Sequence, residues 1–318
     1  SIPATYWQLL RTAWVYIGSG ALWRLMRLRK GPVIAALYPV GMLIAQALLA
    51  VALSLLTYGL LGMLSEHWAA RLASAALGMG LGVALLRWFK NKDGKFFAYY
   101  LMHDYAYSAA TKGANPPQLE ARMATFGDAI AAALTDDVDE VLVVGHSSGA
   151  HLGVSVLADL IRSGRVAEGG PALGLLTLGQ VVPMVSFLPR AERLRGDLRY
   201  LSARDELAWV DVTAPGDGCA FALCDPVSVS GVAPEGKRWP LVFSAAFTQT
   251  LSPARWKALR WRFFRLHFQY LCAFDRPRDY DYFQITAGPQ TLAARYDGRP
   301  ASKSRIDHAV SKYTSVAA

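Results

Sequence analysis

The sequence predicts an α/β domain with a mostly parallel sheet and flanking helices, joined to a two-helix transmembrane hairpin. Three observations predict it. Residues 31–65 contain no charged side chain, a second apolar run follows from Trp68 to Leu86, and beyond residue 90 β-branched runs alternate with helical ones. Composition agrees: of 318 residues, 53% are hydrophobic and 18% charged, against about a quarter charged in ordinary soluble domains. Disorder is excluded, and an ordinary cytosolic protein is disfavoured.

The hairpin is argued from length. About 20 helical residues cross the hydrocarbon core of a bilayer, and the first run exceeds that. Pro39 and Gly41 near its start are expected to kink it or to mark where regular helix begins. In the second run, Ala75, Ala76, Gly78, Gly80 and Gly82 allow close helix–helix approach. The competing reading, two buried helices of a globular core, fits an uncharged run of this length poorly. Arg24, Arg27, Arg29 and Lys30 precede the hairpin, and Arg87, Lys90, Lys92 and Lys95 follow it. The positive-inside rule then places both ends, and all that follows residue 90, on the cytoplasmic side, as in a bacterial inner membrane. Trp23 and Trp88-Phe89 stand where interfacial aromatics belong. The expected division is a helical segment over 1–30 (with one helix over 6–28), the hairpin over 31–90, an α/β domain over 91–298 and a loosely ordered polar tail over 299–318.

Within the α/β domain, residues 95–102 read as an aromatic-rich strand. Pro116-Pro117 opens a helix whose apolar face carries Leu119, Met123, Phe126 and Ile130. Strands are expected over 138–144, 173–178, 207–213 and 240–243, and helices over 149–162, 253–270 and 282–296.

The chemical signal is Gly145-His146-Ser147-Ser148-Gly149, preceded by a β-branched strand and followed by a helical pattern. G-x-S-x-G alone is weak; that context gives it meaning. A strand-to-helix turn forces the serine into a strained backbone, with Gly145 and Gly149 expected to let strand and helix pack around it. Ser147 Oγ is lifted above the sheet edge as a nucleophile, and the Ser148 N–H points toward a developing oxyanion. A structural turn or a dead enzyme is the competing reading.

With this elbow the chain, over about residues 95–295, resembles the α/β-hydrolase superfamily, in particular its lipase- and esterase-like members. The resemblance implies an α/β-hydrolase-like fold and a Ser-His-Asp triad in the order Ser, Asp, His. The implied acid is Asp217, just past a strand end in a Pro/Gly turn, with Asp225 as the alternative; Asp211 falls inside the strand and Asp205 before it. The implied base is His267, followed at Tyr270 by a His-x-x-Tyr spacing similar to that of many members, with His308 as the alternative. His67 falls in the hairpin turn, His146 occupies the variable position of the elbow, and His151 reads as a packing residue. The family places several strands before its elbow strand. Only 95–102 is recognisable here, so either the sheet is reduced or further strands precede Ser1, with the hairpin inserted in the domain; the second is preferred. Otherwise Met102-His103-Asp104 is the candidate second oxyanion donor.

The expected activity is hydrolysis of carboxylic esters, including lipid acyl esters, through an acyl-enzyme. Acyl transfer by the same triad and an inactive hydrolase-like interaction module are the alternatives. No cofactor or metal is expected, since no His/Cys/carboxylate spacing suits one. Cys219, Cys224 and Cys272 are too few and too oddly spaced for a disulfide framework and read as reduced thiols. With 33 Lys and Arg against 24 Asp and Glu the net charge is +9, which suits anionic lipid or nucleic acid. The segment Arg255–Arg265 mixes cations with aromatics and is expected to lie in a headgroup region. No recognition motif supports nucleic acid, so the expected partners are a lipid bilayer and an ester or lipid substrate.

Overall fold

The β-branched and leucine-rich runs pair as parallel strands buried between two layers of other elements. In the computed structural model, which describes residues 1–317, four strands lie in the order β1-β2-β3-β4. They are β1 (Glu140–His146), β2 (Ala172–Leu178), β3 (Leu207–Thr213) and β4 (Leu241–Ser244). Register is continuous: Gly145 opposes Thr177, Leu178 opposes Val212, and Thr213 opposes Ser244. Alternate side chains serve opposite layers. Leu176, Leu178, Val210, Val212 and Phe243 pack with Phe247, Leu266 and Tyr270, while Leu173, Leu175, Leu207 and Trp209 pack with the helices on the other face. Central β3 is buried throughout, and edge strand β1 is mostly half-buried.

Eight helices precede or follow β1 as far as β2: α1 (Ile2–Gly18), α2 (Ala21–Leu28), α3 (Lys30–Gly62), α4 (Trp68–Asn91), α5 (Asp93–Phe96), α6 (Ala98–Ala110), α7 (Pro117–Ala133) and α8 (Gly149–Arg162). The helix expected over 6–28 is two, because Gly20 adopts φ 75° between α1 and α2. On α7, Met123 and Ile130 pack inward, but Phe126 is exposed. The crossovers between later strands carry α9 (Val182–Ser186), α10 (Glu192–Leu201) and α11 (Pro226–Val229). After β4 come α12 (Phe247–Thr250), α13 (Pro253–Leu259), α14 (Phe263–His267), a 3₁₀ turn (Phe268–Leu271), α15 (Tyr282–Thr286) and α16 (Leu292–Arg295).

The chain forms two compact units: Ser1–Val15 with Ala36–Ala110, and Tyr16–Ala35 with the chain from Thr111 onward. In the first, α3 and α4 are each long and apolar enough to cross a membrane, and most of their side chains are exposed. Exposed apolar helix faces such as Leu55 (63%) and Met79 (63%) do not belong to a water-facing core. The pair approaches closely where it is small: Ser54 Oγ donates to Gly78 O at 2.8 Å. A Cβ built on Gly78 would lie 2.5 Å from Ser54 O, and one on Gly82 2.9 Å from Ala50 O.

The segment 95–102 is helical, not a strand. Asp93 accepts from the Tyr99 and Tyr100 N–H groups, each at 2.9 Å, and caps α6. Its apolar residues bury at helical spacing, Tyr99, Met102, Ala106 and Ala109 sharing one face. Among the described residues, therefore, no strand precedes β1.

The second unit corrects three further expectations. The run 253–270 is not one helix but α13, α14 and a 3₁₀ turn, since Trp261–Arg265 are all exposed and offer no continuous apolar stripe to pack. The run 282–296 breaks around Gly288-Pro289, where proline lacks the N–H a helix needs. Asp281 and Thr291 cap the two pieces. The tail beyond residue 298 is tied down: Ile306 bonds to Leu223 and Asp225, Val310 to Val229, and buried Arg195 donates to Ser315 O at 2.6 Å.

Candidate active site

Strand β1 ends at His146, and the chain turns into α8 through Ser147 and Ser148. Ser147 adopts φ 56°, a left-handed conformation that costs a non-glycine residue roughly 1–3 kcal/mol. Neighbours hold it there: its N–H donates to Leu178 O at 2.9 Å, and its carbonyl accepts from Ala150 N at 3.2 Å. Gly145 is required, because a Cβ there would lie 2.7 Å from Gly149 O and 2.9 Å from Ala150 Cα. Gly149 is not: a Cβ there would meet nothing within 4 Å, so the close packing expected of both glycines belongs to Gly145 alone. Ser148 occupies the N-cap position of α8 without a side-chain capping bond, where the first N–H groups of a helix lack intrahelical partners and the dipole favours negative charge.

The acid and base come from segments that end at the same side of the sheet. After β3 the turn Ala214-Pro215-Gly216-Asp217 closes with Asp217 N donating to Ala214 O at 2.9 Å. That aims the Asp217 carboxylate at His267, the last residue of α14. His267 Nδ1 lies 2.7 Å from Asp217 Oδ2, and both side chains are almost fully buried. Asp217 has further partners: Cys219 N donates to Oδ1 at 2.9 Å and Tyr270 Oη to Oδ2 at 3.1 Å. The same Tyr270 hydroxyl accepts from Ala214 N at 2.9 Å, so it joins the end of β3 to the carboxylate. Burial, and then Asp217, push the Tyr270 phenol well above its ordinary range, so it stays a proton donor.

Ser147 and the dyad share a wall. The serine N–H is bonded to Leu178 O, and a Cβ built on the next residue, Gly179, would lie 3.1 Å from His267 Cε1. His146, directly before the serine, closes the other side. Its Nε2 is 2.9 Å from His267 O, and its ring centroid lies 4.6 Å from that of His267 and 4.8 Å from that of Phe268. Burial first, and the neighbouring His267 second, push His146 down to about 4. It is neutral at neutral pH, and since a carbonyl only accepts, Nε2 carries its proton. Among the described residues the half-buried Ser147 hydroxyl has no hydrogen-bond partner, His267 included. Asp217 and His267 are thus joined, and Ser147 stands beside them with a free hydroxyl.

The alternatives sit elsewhere. Asp225 Oδ1 caps α11 through Val227 N and Ser228 N at 3.0 and 3.1 Å, and its Oδ2 pairs with Lys237 Nζ at 2.5 Å. Its partners are the α11 backbone and Lys237, with no histidine among them. His308 is exposed in the tail. Asp211 is buried within β3, accepts from Thr177 Oγ1 at 2.6 Å, and is pushed up to about 8 by burial. His151 is half-buried with its Nδ1 shielded from solvent, and burial pushes its imidazole down to about 4. Met102, His103 and Asp104 lie inside α6, so their N–H groups belong to a helix and do not form the oxyanion loop expected of them.

Asp217, Cys219 and His267 bring three potential metal-ligand atoms within 4.8 Å of one another. A shared ion with bonds of about 2 Å to N and O would have to part the 2.7 Å Asp217–His267 contact. Burial and Asp217 push the Cys219 thiol up to about 12. The arrangement as it stands is suited to proton transfer along a carboxylate–imidazole axis. The sequence marks Tyr270 only by its spacing from His267 and His146 only as the variable residue of the elbow; both contact the dyad. No family model, curated protein or solved structure matches this chain.

Proposed function

We propose that this protein is a membrane-bound serine hydrolase that cleaves carboxylic esters, with Ser147 as nucleophile, His267 as general base and acid, and Asp217 as its orienting carboxylate. The observation that carries the reading is the buried 2.7 Å contact from Asp217 to His267 beside a serine held at φ 56° on a strand-to-helix turn. Ser147 shares a left-handed backbone with Phe97, Lys112, Leu223 and Ala246; its place on the strand-to-helix turn beside the Asp217–His267 pair sets it apart. The triad order, the elbow and the parallel sheet support a likeness to lipase- and esterase-like α/β hydrolases.

With Nδ1–H donated to Asp217, His267 Nε2 carries the lone pair. Ser147 Oγ rotates toward it, loses its proton to Nε2 and bonds to the ester carbonyl carbon. The Ser148 N–H stabilises the oxyanion, aided by the α8 dipole. Asp217 stabilises the imidazolium, whose proton passes to the leaving alkoxide as the carbonyl re-forms. Water then attacks the acyl-enzyme with His267 again taking a proton, and the acid leaves as Ser147 recovers its hydrogen. The two apolar helices anchor the chain in a bilayer, with their basic flanks on the cytoplasmic face.

Turnover of p-nitrophenyl esters by membranes containing wild-type or Ser147→Ala protein tests the reading. We expect turnover to fall to the background of membranes lacking the protein. Equal rates for the two proteins would overturn it.

A further inference from the structure

One surface of the second unit is left unused by this chemistry. Between α13 and the end of α14 the chain breaks into an exposed knuckle. Trp261 is 73% exposed, Phe263 50% and Phe264 40%, all on a segment whose buried residues begin only at Leu266. Arg260, Arg262 and Arg265 are exposed between them. Among the described residues none of these three arginines pairs with a carboxylate, whereas Arg255 is closed on Asp275 at 3.3 Å. From Pro253 to Cys272 the sequence contains no Asp or Glu at all. Exposed aromatic rings are costly in water, and interleaved with guanidinium groups that have no carboxylate partner they suit an interface that is anionic outside and apolar beneath.

The knuckle is also seated on the acid turn. A Cβ built on Gly216 would lie 2.7 Å from Trp256 Cη2, and one on Gly218 3.2 Å from Phe263 Cδ1, so rings from this segment cover both neighbours of Asp217. Phe264 stacks toward Phe268 at 5.2 Å, and Phe268 toward His146 at 4.8 Å. A chain of ring contacts thus joins the exposed rings to the residue before the nucleophile.

We propose that the surface formed by Arg260, Trp261, Arg262, Phe263, Phe264 and Arg265 docks on an anionic lipid leaflet. The guanidinium groups meet lipid phosphates while the rings enter the headgroup–acyl boundary. Charge complementarity selects this occupant: the surface is cationic, its three arginines have no carboxylate partner among the described residues, and the chain carries two helices of bilayer length. Where the hydrolase reading holds, and resting on it, the same surface would pass an amphiphilic acyl ester along Phe264 and Phe268 toward Ser147.

The full chain is placed in nanodiscs of phosphatidylcholine with brominated acyl chains, with or without phosphatidylglycerol. The emission of Trp261 is isolated as the difference between wild type and Trp261→Phe. We expect strong quenching in the anionic discs and little in the neutral ones. Each arginine near an anionic surface contributes roughly a fivefold factor in binding. Quenching should therefore be lost in high salt and in the triple variant Arg260→Gln, Arg262→Gln, Arg265→Gln. Absence of quenching in anionic discs would overturn the proposal, and so would equal quenching in neutral discs. A gel shift of disc-embedded protein by single-stranded RNA, without quenching, would assign the surface to nucleic acid instead. Ser147→Ala leaves the signal unchanged, so docking and hydrolysis stand or fall separately.

Discussion

Tyr270 donates its hydroxyl proton to Asp217 Oδ2 at 3.1 Å, the oxygen that also holds His267 Nδ1 at 2.7 Å. The phenol is therefore a positioning group for the dyad. Tyr270→Phe strips one donor from the carboxylate and leaves the Ala214 N–H unpaired in a buried place. Loss of a buried hydrogen-bond partner costs about 1–3 kcal/mol. We expect a lower melting temperature and, in ester turnover, a kcat reduced by about an order of magnitude with KM little changed. An unchanged kcat would remove Tyr270 from this role.

The four parallel strands and α8 were legible in the sequence because burial on both faces of a sheet leaves unbroken β-branched runs. Asp217 was legible as a carboxylate in a Pro/Gly turn, and His267 by its place after the last strand. The 2.7 Å contact between them was not, since fifty residues of chain separate them. Residues 95–102 misled because aromatic residues suit strands as well as helices, and only the Asp93 cap, acting on Tyr99 and Tyr100, decides between the two. The 253–270 segment misled because its cations and rings recur at helical spacing while no apolar stripe supports a straight helix. The order of the tail leaves no mark in composition, because its ties to Leu223, Val229 and Arg195 are formed mainly through backbone groups.

The elbow is strained at Ser147. Glycine adopts φ 56° at little cost, so Ser147→Gly should abolish turnover and raise the melting temperature, by about 1 kcal/mol of stability. Differential scanning fluorimetry in detergent checks it. A destabilised glycine variant would mean that the serine side chain itself holds the turn.

The two glycines of the elbow should behave oppositely. Gly145→Ala drives a methyl group onto backbone atoms at 2.7 and 2.9 Å and should cost about 2 kcal/mol or more. Gly149→Ala adds a methyl into open space in the first turn of α8 and should be neutral or stabilising by up to about 1 kcal/mol. Thermal melts of both variants give the comparison; equal destabilisation would contradict the packing described for Gly145.

His146 links stability to pH. Its folded pKa is about 4, below the ordinary 6.5, so the unfolded chain binds the proton more readily. The sign is then fixed: its contribution is fully present above about pH 6.5 and is lost as pH falls toward 4. Asp211, raised to about 8, runs the other way, so the informative quantity is a difference between proteins. His146→Gln keeps an N–H for the His267 carbonyl and removes the titration. From about pH 7 to about pH 4.5 the variant should lose less thermal stability than wild type. Parallel pH curves would contradict this.

The most direct measurement is labelling of the detergent-solubilised or membrane-embedded protein with a fluorophosphonate, followed by peptide mass analysis of the modified residue. We expect a covalent adduct on Ser147 that is absent in Ser147→Ala and strongly slowed in His267→Ala and Asp217→Asn. A folded wild-type protein that leaves Ser147 unmodified, or that reacts equally fast without His267, would contradict it.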